Sequence, residues 1–269
     1  MKLKNIYILF ALFLPVSILG RFFQLFATIN PSTGFFTPDA SGINFYMCAA
    51  FAVFTFFLFC CALFYKDYSD APITPKPISA VFSLILALTM LIDLGAKVTS
   101  LTSISVLEIV YCALLLLGAG VFCLFAVRSF SGNDMQLGGL MIVPILLWIV
   151  RLITDFIAFT GMANISENVI KLLMICTSMV FLLYHGKLVD GMGSVKNRRM
   201  AVAFGIPATI LCLISTLPRY ILYFVDAAKL HEGALGDPMD LALGIYMVVF
   251  IQQCLKTEKP AIKAEAEAE

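Results

Sequence analysis

"IVRLITDFIAF", residues 149–159, is apolar on nearly every side, yet it carries Arg151 and Asp155 one helical turn apart. What surrounds this segment follows from composition. Hydrophobic residues make up 61% of the 269 positions and charged residues 13%, about half the charged share of an ordinary soluble domain. Mean hydropathy is +0.98. The apolar surplus comes in repeated blocks of about 18 to 25 residues, the length that crosses ~30 Å of hydrocarbon as a helix. Strand-like alternation is not seen, and a spanning segment has to satisfy its own backbone hydrogen bonds. The expected fold class is therefore all-α, a polytopic transmembrane helical bundle.

Working outward from Arg151, the blocks predict about eight spans, near 6–27, 44–65, 78–97, 104–127, 138–159, 167–185, 200–222 and 239–255. They form one transmembrane domain over 1–256, followed by a charged low-complexity tail over 257–269, which includes "KPAIKAEAEAE". Lys and Arg are retained on the cytoplasmic side of membranes. An inside N-terminus puts Lys2, Lys4, Lys66, Lys76, Arg128, Lys187, Lys196, Arg198 and Arg199 on that side, against Lys97, Arg219 and Lys229 on the other. Both termini are thus expected in the cytoplasm. "MKLKN" and the run after it resemble a secretory leader in pattern, but Ile18 stands where cleavage needs a small residue, so the first span is expected to be retained. The stretch 218–240, "PRYILYFVDAAKLHEGALGDPMD", leaves three options open: a longer seventh helix, an interfacial helix, or re-entry into the membrane.

Counting helical rise from the inner face, Arg21, Asp93, Arg151, Lys171 and Asp240 fall together at roughly 21 to 25 Å. Lys97, Glu108, Asp155, Glu167, Arg219 and Asp226 come just beyond them. A charge at membrane depth costs at least ~2.5 kcal/mol unless water or a partner reaches it. Asp93 with Lys97, Arg151 with Asp155, and Glu167 with Lys171 stand at i,i+4 spacing and can close on their own helices. Sealed pairs that hold helices together are one reading. Charges of both signs on six or seven helices at one depth favour another, an outward-facing polar cavity. In that cavity Arg21 and Arg151 are expected to grip an anionic or zwitterionic group through bidentate hydrogen bonds. Asp93 and Asp155 orient them or accept an amine, Lys171 completes the pocket, and Lys97, Glu108, Arg219, Asp226 and Asp240 form a possible second layer.

Catalysis is not expected. The two histidines, His185 and His231, sit at opposite ends of the predicted topology, no HExxH pair exists, and "GMGSV" at 191–195 lacks a phosphate loop's lysine. Neither of the last two spans carries a mid-helix lysine for a retinal Schiff base. All eight cysteines lie in or beside apolar spans and read as small buried hydrophobes rather than a disulfide framework. No cofactor, metal or nucleic-acid partner is expected; the bilayer is. The sequence thus points to a multi-pass protein that binds and transports a small polar or anionic solute. The short loops and the lack of a sorting signal suggest a prokaryotic plasma membrane. A ligand-sensing or partner-binding module without transport, or a structural membrane subunit, is the alternative.

Overall fold

The computed structural model describes residues 3–30, 37, 41–65, 68, 76–100, 105–131, 137–159, 165–192, 194–230 and 235–256. The tail expected at 257–269, His231, and the Glu167 side chain lie outside them. Among the described residues the chain forms α1 (Leu3–Ala27), α2 (Ser41–Phe64), α3 (Pro77–Ser100), α4 (Val106–Ser131), α5 (Ile142–Phe159), α6 (Ile165–Val189), α7 (Val195–Asp226) and α8 (Pro238–Lys256). A 3-10 turn, Gly138–Met141, leads into α5, and another, Ala227–Lys229, follows α7. No strand occurs among these residues. The chain is a polytopic helical membrane bundle and an integral membrane protein.

Neighbouring helices run antiparallel. Gln24 meets Cys48 between α1 and α2, Ser83 donates to the Phe122 carbonyl between α3 and α4, and Ser178 meets Cys212 between α6 and α7. Helix α7 is central: 72% of its apolar stretch is buried inside the bundle, against 11% of that of α2. Lipid tails are as apolar as leucine, so close packing rather than a hydrophobic drive holds such helices together. Small residues make it possible. A Cβ on Gly205 would stand 3.0 Å from Phe181, and one on Gly244 3.0 Å from Cys212, so α7 sits tightly between α6 and α8. At the end of the bundle where α6 finishes, the Asp190 carboxylate accepts from the Gly138 backbone N–H, and Arg128 donates to the Val189 carbonyl.

One of the eight predicted spans differs. Seven helices are long and apolar enough to cross a membrane, whereas the apolar part of α8 is shorter, Pro238–Cys254. Its first turn begins inside the bundle, because the chain turns back after α7. Gly236 packs on Thr216, where an added Cβ would lie 2.9 Å from the Thr216 Cα, and the Tyr220 hydroxyl donates to the Gly236 carbonyl at 2.8 Å. Thr216 lies about 15 Å before the end of α7 at ~1.5 Å per residue. Of the options left open for 218–240, the longer seventh helix holds, since α7 runs on to Asp226, and Gly236 lies back against that helix.

Candidate functional site

The packing of Gly236 against α7 goes with the placement of two carboxylates beside Arg151. Pro238 opens α8 and Asp237 caps it, accepting from the Met239 N–H at 3.0 Å; a proline has no N–H to leave unsatisfied there. Asp240 follows in the first turn, in reach of α5. The Arg151 guanidinium donates both NH groups to the two Asp240 carboxylate oxygens at 2.5 and 2.7 Å, and its Nη2 stands 3.0 Å from Asp237. Arg151 and Asp240 are 4% and 3% exposed. Such planar, two-pronged pairing is what arginine does better than lysine. The expected partner on the same helix, Asp155, is 3.9 Å from Arg151 and lies closer to Lys171, at 3.0 Å.

Other charges around this clasp are also engaged. Asp93 accepts the Tyr111 hydroxyl at 2.9 Å across the α3–α4 seam. On α1, Arg21 is buried and donates to the Gln24 amide oxygen at 3.0 Å, and Gln24 reaches Cys48 on α2. Glu108 accepts from both the N–H and the hydroxyl of Ser105 at 2.9 Å, while its own N–H donates back to that hydroxyl. This reciprocal box caps α4, giving Glu108 a local structural task that the depth count could not show.

A cavity of about 480 Å³ opens beside the clasp. Arg21, Asp93, Lys171, Arg219, Asp237 and Asp240 line it, with Asn168, Ser215 and Thr216 as neutral donors and acceptors. A second, of about 330 Å³, lies on the far side of Asp93, Lys171 and Asp237, between Lys97, Glu108, Tyr111, Arg151 and Asp155. Both volumes suit a small molecule, but ordinary ligand pockets are lined mostly by apolar groups. Here six of the fourteen residues lining the larger cavity are ionised, three of each sign, far more than such pockets usually carry.

All five residues expected in the pocket therefore sit at one end of the bundle: Arg21, Asp93 and Lys171 on the larger cavity, Arg151 and Asp155 on the smaller. Arg151 is turned to its carboxylates instead of standing open for a bidentate ligand. From the second layer, Arg219 and Asp240 join the larger cavity and Lys97 and Glu108 the smaller, while Asp226 ends α7 and lines neither. Sequence reading missed Asp237, Tyr111 and Asn168. For Asp237 a signal existed: "GDPMD" places an N-cap aspartate directly before an N1 proline. His185, expected near a helix end, is buried four residues before the end of α6, where Tyr246 meets its Nε2 at 2.6 Å and Phe125, Phe181 and Phe250 surround it. No protein-family model, curated protein or solved structure matches this chain.

Proposed function

We propose that this protein binds a small solute carrying ionised groups in the cavity beside Arg151 and carries it across the bilayer. The observation that supports this is the 480 Å³ cavity, lined by both signs of charge from α1, α3, α6, α7 and α8. Arg219 and Lys171 face an anionic group, and Asp93 and Asp237 face an amine. The positive end of the α8 dipole is met by Asp237 and Asp240 themselves, which stabilises both carboxylates at the cavity wall. In this reading the basic ends of α4, α6 and α7 lie in the cytoplasm, the cavity faces outward, and the chain has no catalytic task.

Binding without transport is the second reading. Its support is the packed half opposite the cavity, where Trp148, Phe122, Phe125, Phe181, Tyr246 and Phe250 are all buried. Two measurements on proteoliposomes separate the readings. Asp155→Cys and Asp93→Cys, each in a cysteine-free background, are expected to react rapidly with an impermeant thiol reagent added on the cavity side. Uptake of a panel of amino acids and organic phosphates then tests movement. Labelling and binding without flux sink transport and leave sensing; slow labelling at both positions in a folded protein sinks the cavity reading itself.

A further inference from the structure

Arg21 belongs to two cavities. Beyond it, away from the charged groups, a cleft of about 540 Å³ runs between α2 and α6, both of which pack on α7 without closing over it. Its floor is Phe204, Pro207, Leu211 and Ile214 of α7. Its walls include Phe51, Ala52 and Phe56 of α2 and Val169, Leu173 and Thr177 of α6. From Phe204 to Ile214 the floor is about 15 Å long at ~1.5 Å per residue. Phe56, Val169 and Leu173 are exposed on its rims, so it opens sideways toward lipid. Arg21 and Ile170 line both spaces and join the apolar cleft to the charged cavity.

The lining therefore changes from mostly apolar, with Gln24, Thr55 and Thr177 as its neutral polar groups, to ionised at a buried arginine. A water-borne polar solute has no use for the apolar part, and a plain boundary lipid has none for the charged part. We propose that the ligand is a single-chain anionic amphiphile taken from the surrounding leaflet, its charged head in the cavity beside Arg21 and Arg219 and its alkyl chain in the cleft between α2 and α6. The proposal rests on the charged cavity being a binding site and names the class of molecule it takes. Moving a chain from bilayer to cleft gains little hydrophobic energy. Selection must come from the head, and the chain only has to fit.

The test uses the full chain in phosphatidylcholine nanodiscs, with nitroxide-labelled stearate as probe and its methyl ester, of the same chain but without the charge, as reference. The motionally restricted spectral fraction is read for each at alkaline pH. Stearate is expected to associate roughly tenfold more strongly than the ester, the weight of one charge-assisted contact. That excess should vanish in Arg219→Gln, a half-buried site where folding is less at risk than at Arg21. It should also vanish in Ala52→Trp and Leu173→Trp, which fill the cleft from lipid-exposed positions. Equal association of stearate and ester overturns the proposal, and so does an excess that survives both cleft-filling variants. If Asp93→Cys, on the wall of the larger cavity, remains reactive to the aqueous reagent in the first case, the charged cavity stands as a site for a chainless solute and only the amphiphile is lost. If it is unreactive as well, both readings fail.

Discussion

Arg151→Gln is the perturbation whose outcome the structure specifies most closely. Two unit charges about 4 Å apart attract by about 4 kcal/mol at an effective dielectric constant near 20. Arg151 forms one such pair with Asp240, joined by hydrogen bonds of 2.5 and 2.7 Å, and a second with Asp237 at 3.0 Å. Much of the gain offsets the desolvation of groups that are 4% and 3% exposed. The larger penalty appears when one partner is removed, because Asp240 is then left buried and uncompensated, at about 3–5 kcal/mol. Asp240→Asn leaves Arg151 its Asp237 contact and should cost less, about 1–3 kcal/mol. The double variant removes the stranded charge, so its loss should fall short of the sum of the two by about 2 kcal/mol. Equilibrium unfolding in mixed detergent micelles, followed by helical circular dichroism, measures all four corners of the cycle. Additivity to within ~0.5 kcal/mol would mean that the two groups are separately hydrated, and the clasp would then have no energetic content.

Three smaller experiments probe the surroundings. Gly236→Ala places a methyl 2.9 Å from the Thr216 Cα and should lower stability by about 1–3 kcal/mol, whereas Gly120→Ala, which meets open space, should leave the thermal midpoint unchanged or slightly raised. Ser105→Ala breaks the reciprocal cap of α4 and is expected to cost about 1 kcal/mol in the same unfolding assay, with no effect on flux or binding. Tyr111→Phe takes the donated hydrogen bond from Asp93 at a wall common to both charged cavities. It should lower stability by about 1 kcal/mol and change the rate at which Asp93's neighbour position 97, converted to cysteine, reacts with aqueous reagent.

Seven of the described helices were legible because each is an apolar block of spanning length, and α8 because its block is shorter but as clearly bounded; helices and closed barrels alone satisfy a backbone in lipid. Their ends moved by a few residues: the span read as 200–222 became Val195–Asp226. Depth was legible as well, since helical rise per residue is fixed, and counting it brought Arg21, Asp93, Arg151 and Lys171 to one end. Partnership was legible in part. Spacing along one helix suggested Arg151 with Asp155, a pair that stands at 3.9 Å, but a guanidinium chooses among all carboxylates within reach, and the closer two, Asp237 and Asp240, come from the start of α8. The start of α8 is brought to α5 with Gly236 fitted against Thr216 of α7, a contact no hydropathy count contains. Glu108 shows the reverse: its charge stood out at depth, while Ser105 three residues earlier already explained it.

The clasp also sets an order of events during synthesis. Arg151 emerges with α5, long before Asp237 and Asp240 exist, and chains fold from the N-terminus as they are made. An unpartnered arginine in the middle of a span costs about 2.5–3.5 kcal/mol on insertion. Until α8 arrives, the carboxylate in reach on the same helix is Asp155, which in the finished bundle lies 3.9 Å from Arg151 and 3.0 Å from Lys171 of α6. The α5 pair thus gives Arg151 a counter-charge from the start, and the closer contacts of α8 come last.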